Sequence, residues 1–303
     1  MSLTAEGLTV TAKLREGAQT IVSSLSFRAE TGSTLAVVGE SGCGKTMTAL
    51  AVMGLLPPNC RAEGSVTLDG KELIGLSQRK LSALRGREIC FVPQSGAEFL
   101  NPSLKVSTQL YESLAIQGVP RERRRAEACE RLERAGLDSP ETFLSRYPFE
   151  LSGGQAQKVV LAAACGKDVR LLIADEPTKG IDRAGADAFL GSVRKLFPSA
   201  AVIVITHDIS VASGADELLV MLRGRAMESG RAADVIARPC HPYTVSLLDA
   251  LPSRGLMARP ALRETRSSGC PFYPFCPVAE NRCQAFLPPA KEEDVRMTRC
   301  FVC

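Results

Sequence analysis

The chain has 303 residues, of which 45% are hydrophobic and 23% charged. That balance is typical of a soluble globular protein and excludes a disordered or collagen-like chain. The formal net charge of +4, from 37 basic and 33 acidic residues, is too small to indicate nucleic-acid binding. No apolar run is long enough to span a bilayer, and the N-terminus lacks the features of a secretory signal. The composition therefore predicts a protein that stays in the cytosol.

Short apolar runs alternate with longer helical patterns through most of the chain. The predicted strands are 35–38, 88–92, 169–174, 201–206 and 217–222. Several are apolar at consecutive positions, which is typical of a mostly parallel sheet covered by helices on both faces.

The stretch from about 103 to 150 interrupts this alternation. It is predicted to be helical, and Pro120 stands at the start of a helix over 121–137, where proline is tolerated in the first turn. An α/β body with a helical insertion follows from these patterns.

The segment GESGCGKT at 39–46 matches the phosphate-loop pattern in full, with a predicted strand before it and a helix over about 45–55 after it. Its glycines let successive backbone N–H groups turn toward an anion, and the helix N-terminus adds a favourable dipole. A chance glycine-rich turn would not carry this strand and helix context. We expect Lys45 to reach the β- and γ-phosphates and the Thr46 hydroxyl to bind Mg²⁺. The predicted nucleotide contacts are Gly39, Glu40, Ser41, Gly42, Cys43, Gly44, Lys45, Thr46 and Thr48, with Cys43 contributing only its backbone.

Two acidic residues end the buried strand pattern LLIADE at 171–176. Ligands of parallel sheets lie at the carboxyl ends of the strands, so Asp175 is predicted to hold Mg²⁺. Glu176 is the candidate general base for the attacking water, and Pro177 forces a turn directly after it. An acidic pair after a strand is otherwise a solvated turn, and only the phosphate loop favours the catalytic interpretation.

The segment LSGGQ at 151–155 precedes a helical pattern and forms a second helix N-terminus with a bare backbone. One nucleotide does not need two such cradles from one chain, so the second is predicted to serve the nucleotide of a facing subunit. With LSGGQ between a phosphate loop and LLIADE, the chain resembles the ATP-binding cassette (ABC) ATPase family over roughly residues 3–250. The resemblance assigns ATP contacts to Ser152, Gly153, Gly154 and Gln155.

The resemblance implies an ABC-type phosphate-loop NTPase fold, with an antiparallel β part beside the parallel core. It also implies that Gln94 senses Mg²⁺ and a membrane partner, that His207 contacts the γ-phosphate, and that Asp182 crosses a dimer interface. The chain departs from the family at two points. Its only aromatic residue before Lys45 is Phe27, which belongs to a strand pattern, and the interface loop reads KGID. Because no aromatic residue suits the adenine, the residue that contacts the base stays open. The KGID loop is compatible with a heterodimer of this chain and a paralogous ATPase subunit.

Three local patterns resemble importers of oligopeptides, dipeptides and nickel: QSGAEFLNPSLKV at 94–106, RYPFELSGGQ at 146–155 and ARPCHPYTVSLLDALP at 237–252. The resemblance implies a second ATPase subunit, two transmembrane permease subunits and an extracytoplasmic solute-binding protein, without nucleic acid. It places the chain peripherally on the cytoplasmic face of the inner membrane. The implied domains are a cassette over 1–253, with a helical subdomain at about 103–165, and a Cys-rich extension over 254–303.

Five of the eleven cysteines fall within the last 34 residues, and in a reducing compartment such a cluster indicates metal binding more than disulfides. Four thiolates suit either zinc or a [4Fe–4S] cluster. The spacing is a poor match to a zinc ribbon and resembles the tail of peptide importers. That resemblance implies a structural iron–sulfur cluster on Cys270, Cys276, Cys283 and Cys300, with Cys303 as the alternative fourth ligand.

One rival function stays open at this point: a soluble ABC ATPase of nucleic-acid repair or translation, with the cysteines holding zinc. The single phosphate loop, Gln94 and the HPYT segment favour a membrane partner instead. A non-hydrolysing cassette would lack Glu176 or His207, and both are present. The basic run at 121–125 contains a glutamate and fits a solvated helix face.

Overall fold

The computed structural model describes residues 2–94, 99–178, 183–251, 268–293 and 295–303. Within these residues, helices and strands form one main mixed sheet, a smaller antiparallel sheet and a helical subdomain.

The smaller sheet packs beside the phosphate loop and is antiparallel throughout. Its order is β2-β1-β4-β5, and the long β1–β2 hairpin provides most of its area. Buried apolar residues alternate with partly exposed ones along β1, as expected for a sheet with one solvated face. The strands are β1 (Ser2–Leu14), β2 (Gly17–Glu30), β4 (Cys60–Leu68) and β5 (Lys71–Glu72).

The main sheet has the order β11-β12-β10-β9-β3-β8-β7-β6 in the described part of the chain. Its five strands from β9 to β6 are parallel. Strands β3, β7 and β8 are buried at every position, which confirms a sheet covered on both faces. The strands are β3 (Thr34–Val38), β6 (Ile89–Val92), β7 (Leu171–Asp175), β8 (Ala201–Thr206), β9 (Glu217–Leu222), β10 (Arg225–Arg231), β11 (Lys291–Glu293) and β12 (Arg296–Thr298).

Helices cover the sheet and build the subdomain that the sequence predicts as an insertion. The predicted helix after Pro120 is divided: a single 3-10 turn, Arg121–Arg123, precedes the α-helix. The helices are α1 (Lys45–Met53), α2 (Gln78–Leu84), α3 (Val106–Ile116), α4 (Arg124–Arg134), α5 (Pro140–Ser145), α6 (Gly153–Ala164), α7 (Arg183–Leu196), α8 (Ala232–Ala237), α9 (Pro242–Asp249) and α10 (Asn281–Ala285). None of these described helices is long and apolar enough to cross a membrane.

The C-terminal extension carries more regular structure than its prolines predict. Strand β12 pairs with β10 through Thr298 and Met297, so the tail extends the main sheet. Cys270, Phe272 and Cys283 share one hydrophobic cluster with Tyr243 and core residues of β3 and β9. The extension is therefore packed into the cassette, because its apolar side chains cover a face of the sheet that would otherwise be exposed.

Candidate nucleotide site

The phosphate loop connects the buried strand β3 to helix α1, as predicted. Gly42 and Gly44 adopt φ of 79° and 104°, a region that residues with a side chain avoid. A Cβ atom on Gly39 would lie 2.1 Å from the Met221 carbonyl oxygen, so the loop passes over the end of β9 only with glycine there. These three positions explain the glycine spacing of the motif.

Lys45 is held beneath the loop by the loop's own backbone. Its side chain is 6% exposed, and Nζ donates to the carbonyl oxygens of Gly39 at 2.7 Å and Glu40 at 3.0 Å. Burial raises the pKa of the neighbouring Cys43 thiol, while the Lys45 ammonium acts in the opposite direction. The ammonium is thus placed where the phosphates of a nucleotide would meet it.

Thr46 and Asp175 form an oxygen pair at the carboxyl end of β7. The Thr46 hydroxyl donates to Asp175 Oδ2 at 2.8 Å, whereas Oδ1 is buried without a hydrogen-bond partner among the described residues. Burial raises the pKa of Asp175, and the Thr46 hydrogen bond partly offsets that rise. A carboxylate oxygen left without a partner beside a hydroxyl fits the oxygen ligands that Mg²⁺ prefers.

Glu176 and His207 meet at the ends of adjacent parallel strands. Glu176 Oε2 lies 2.7 Å from His207 Nδ1, and the Glu176 N–H donates to the Ile205 carbonyl at 2.8 Å. Glu176 has φ of 47°, a left-handed conformation that costs about 1–3 kcal/mol for a residue other than glycine. The turn directs this carboxylate along the sheet edge toward His207, where it can orient a water molecule.

Of the remaining predicted contacts, the structure describes Gln94 and Thr48. Gln94 is exposed just beyond β6, whose carboxyl end shares the edge with β7 and β8. The Thr48 hydroxyl donates to the Gly44 carbonyl at 3.0 Å, within the first turn of α1. Asp182 lies outside the described residues.

The LSGGQ segment begins helix α6, as predicted, and leaves its N-terminus open. Ser152 and Gln155 form a capping box: the Ser152 hydroxyl accepts the Gln155 N–H, and the Gln155 side chain accepts the Ser152 N–H. A Cβ atom on Gly153 or Gly154 would meet no atom of the described residues outside its own helix within 4 Å. This bare helix N-terminus can therefore accept a bulky anion from outside the chain.

The four predicted cluster ligands gather in the extension. Burial raises the pKa of the Cys270 thiol to about 11, and Cys283, Cys276 and Cys300 add to that rise. However, no group of three or more His, Cys, Asp or Glu in the described ranges could hold a metal ion. The iron–sulfur or zinc site stays a prediction of the sequence.

Cys303, the alternative fourth ligand, makes a different contact. Its thiol donates to the Cys240 carbonyl at 2.8 Å, and burial together with the Cys300 thiol raises its pKa to about 12.

Sequence reasoning missed one contact of the phosphate loop. The Tyr243 hydroxyl accepts the Glu40 N–H at 3.0 Å. The sequence shows an HPYT segment but gives no sign that it reaches a loop 203 positions away.

The phosphate loop, the two acidic residues at the end of β7 and the open N-terminus of α6 together define a nucleotide-hydrolysing cassette. The model of the ABC transporter family matches residues 22–179, and the C-terminal region of oligopeptide/dipeptide transporters matches residues 227–283. The chain belongs to the ABC transporter family and is an ATPase, which converts ATP and water to ADP and phosphate.

Named relatives support the same branch. The chain is 38% identical to the oligopeptide transport ATP-binding protein OppD of Salmonella typhimurium, over 97% of this chain and 91% of that protein. It is 34% identical to the dipeptide transport ATP-binding protein DppD of Escherichia coli K12, over 92% and 90%. Among solved structures it resembles the dimeric cassette MJ0796, a bacterial ABC transporter cassette, with a TM-score of 0.67 and 26% identity over 76% of this chain and 98% of that one.

Proposed function

We propose that the protein powers import of oligopeptides or dipeptides at the cytoplasmic face of the cell membrane. It would act with a second ATPase subunit, two permease subunits and an extracytoplasmic solute-binding protein. The match of its C-terminal region to oligopeptide/dipeptide transporters supports this cargo class. Nickel as cargo has no such support, and the rival role in nucleic-acid repair or translation is not favoured by it.

The observation that carries a membrane partner is an exposed aromatic surface formed by Tyr147, Phe149 and Lys105, to which Phe99 adds a separate exposed ring. Phe149 is 74% exposed and Phe99 63%. Tyr147 stacks on Phe149 with ring centroids 5.5 Å apart, and Lys105 lies over the Tyr147 ring. Exposed aromatic side chains ordered by stacking are typical of docking sites. Phe99 follows Gln94 closely in the chain, so a permease seated there would lie beside the nucleotide edge.

We infer the following roles at the nucleotide site. Lys45 binds the β- and γ-phosphates, and the backbone from Gly39 to Thr46 wraps them. Glu176 orients the attacking water and accepts its proton, and His207 steadies that carboxylate and faces the γ-phosphate. Thr46, Asp175 and Gln94 would hold Mg²⁺, which supplies charge neutralisation on the phosphates when bound.

The open end of α6 belongs, in this proposal, to the site of the facing cassette. Ser152, Gly153, Gly154 and Gln155 would contact the γ-phosphate bound by the partner's phosphate loop, and Asp182 would lie at the shared interface. The space around both glycines supports this arrangement, because no residue that the structure describes fills it.

A [4Fe–4S] cluster on Cys270, Cys276, Cys283 and Cys300 stays a prediction of the sequence resemblance. Anaerobic purification followed by iron and acid-labile sulfide analysis tests it. Equal amounts of both, lost on replacing Cys283 by serine, are the expected result. Protein free of iron and sulfide would contradict it.

The partner proposal is tested by coexpressing the chain with its permease subunits and purifying the complex from membranes. Phe149→Ser should weaken the association at least several-fold, because a central exposed aromatic residue contributes strongly to docking. Phe286→Ser is the matched control, since Phe286 is 65% exposed but lies in the extension. Failure of the wild-type chain to copurify contradicts the importer role, and equal retention of both variants contradicts the aromatic surface.

A further inference from the structure

One peptide group of the phosphate loop is held from both of its polar atoms. Its carbonyl oxygen, on Gly39, accepts the Lys45 ammonium at 2.7 Å. Its N–H, on Glu40, donates to the Tyr243 hydroxyl at 3.0 Å. The group that anchors the lysine is thus fixed by a residue of the C-terminal segment.

Tyr243 is itself held rigidly. It is 1% exposed, its ring packs on Phe272 with centroids 5.4 Å apart, and its N–H donates to His241 Nδ1 at 3.0 Å. A tyrosine fixed in this way has few other positions for its hydroxyl.

His241 keeps the start of α9 in place. Burial lowers the pKa of His241 to about 4, so at neutral pH the ring is uncharged and Nδ1 remains an acceptor for the Tyr243 N–H. The backbone N–H of His241 donates to the buried Glu228 carboxylate at 3.1 Å. Glu228 in turn accepts a hydrogen bond from Arg296 in β12. The position of the Tyr243 hydroxyl therefore depends on the packed C-terminal extension.

Hydrogen bonds to the two ends of one peptide group strengthen each other, because each polarises the group in the same direction. Loss of the tyrosine hydroxyl would weaken the Gly39 carbonyl as an acceptor. It would also remove the hydrogen bond that the Glu40 N–H makes to the Tyr243 hydroxyl, and this peptide would be held less tightly. The position of Lys45 would then be less precisely fixed.

We propose that Tyr243 is a positioning residue for the phosphate loop: through the Gly39–Glu40 peptide it sets the placement of Lys45 and thus the affinity for the nucleotide phosphates. This inference rests on the phosphate-binding role proposed for Lys45. It also links the C-terminal extension to the nucleotide site, because Phe272 of the extension packs on Tyr243.

The test compares Tyr243→Phe with Tyr273→Phe in the full chain. Both changes remove one tyrosine hydroxyl, Tyr243 from α9 of the cassette and Tyr273 from the extension, but the structure places only Tyr243 against the loop. Fluorescent MgADP and MgATP titrations should show about two- to tenfold weaker binding for Tyr243→Phe, the range that a net hydrogen bond accounts for. KM for ATP should rise by the same factor with a smaller change in kcat. Tyr273→Phe should match the wild type in all of these.

Melting temperature without nucleotide separates positioning from folding. Tyr243→Phe retains the buried ring, so we expect its nucleotide-free melting temperature to stay near that of the wild type, while the stabilisation by MgADP decreases. A lower melting temperature with unchanged affinity and KM would overturn the proposal and leave a packing role only.

Lys45→Ala separates failure of this inference from failure of the proposed site. If Lys45→Ala loses phosphate binding while Tyr243→Phe binds as the wild type does, only the inference fails. If Lys45→Ala binds normally, the role of Lys45 itself is wrong. Adding Tyr243→Phe to Lys45→Ala should cause no further loss of MgADP affinity, as expected for residues that act through one contact, and a full additive loss would contradict the coupling.

Discussion

Glu176 adopts the most unusual backbone conformation at the site. It follows β7 with a positive φ, is tied to β8 through the Ile205 carbonyl, and meets His207 through its carboxylate. Such strained conformations persist where neighbouring contacts hold them, and they concentrate at functional positions. The turn is the physical reason why the carboxylate lies at the strand end instead of in solvent.

Replacing Glu176 by glutamine should reduce ATP turnover about 100-fold or more, because an amide cannot accept the proton of the attacking water. Binding of MgATP should be preserved, since the phosphate loop is untouched. Phosphate release under saturating ATP and an equilibrium titration measure the two effects. Glu133→Gln, at an exposed position of α4, is the control; turnover near the wild-type rate in Glu176→Gln would refute the assignment.

Asp175 combines function with a cost in stability. Burial raises its pKa above the ordinary 3.8, so a charged carboxylate with Oδ1 unpartnered destabilises the folded state. Asp175→Asn should keep an acceptor for Thr46, raise the melting temperature of the metal-free protein by roughly 2 °C or more, and abolish Mg²⁺-dependent turnover.

The pH dependence gives this prediction its sign. The loss of folding stability caused by the buried Asp175 carboxylate is absent in acid, where the group is protonated in both the folded and the unfolded state. It develops as the pH rises through the raised pKa of Asp175 and is complete at neutral pH. The stability difference between Asp175→Asn and wild type should therefore shrink as the pH falls. Calorimetry from pH 7 downward measures it, with the exposed Asp187→Asn as control, and a less stable Asp175→Asn at pH 7 would contradict it.

Helix α6 is capped within the chain, yet its N-terminus leaves room for a ligand from outside the chain. Its capping box satisfies the Ser152 and Gln155 N–H groups within the chain, while Gly153 and Gly154 leave open space in front. Alanine is a better helix former than glycine, so glycine at these positions is not explained by the fold of the single chain.

Gly153→Ala should therefore leave the melting temperature unchanged or raise it, yet weaken ATP-driven pairing of cassettes. Light scattering in a Glu176→Gln background, where the closed pair accumulates, measures that pairing. Gly191→Ala in α7 also meets open space and serves as the matched control. Pairing of Gly153→Ala as strong as that of the control would contradict the shared site.

Local patterns predict the parts of the cassette that depend on local chemistry. The phosphate loop, the strand ends at Asp175 and His207, and the N-terminus of α6 each combine a short motif with adjacent periodicity. Strand β8 was predicted to the residue, and β7 was displaced by one to two residues because burial on both faces gives no alternation to mark its ends.

Contacts between distant segments are not predictable in this way. Strand β12 pairs with β10 at the edge of the main sheet. A strand of three residues is too short to show a hydrophobic pattern, so the sequence does not predict this pairing. The Tyr243–Glu40 contact depends on the position of α9 relative to β3, which only the folded chain determines. The number of cysteines in the tail predicts that they lie close together, but it does not predict how the folded chain orients their side chains.

At the scale of the whole molecule, the extension and the cassette share one hydrophobic cluster. The cluster reaches from β3, which carries the phosphate loop, to Cys283 in α10. Residues of the aromatic surface lie instead on the helical subdomain. The molecule thus has a nucleotide edge, a proposed permease surface on the helical subdomain, and an extension that packs on Tyr243, the residue that contacts the phosphate loop.

We propose above that ATP hydrolysis by this chain drives peptide uptake through a permease. The most direct measurement reconstitutes the complete complex in liposomes, with the solute-binding protein outside and ATP inside, and follows accumulation of labelled di- and oligopeptides beside nickel. The account predicts peptide uptake that needs ATP and is lost with Glu176→Gln. ATP hydrolysis by the wild-type complex without accumulation of any peptide would contradict it.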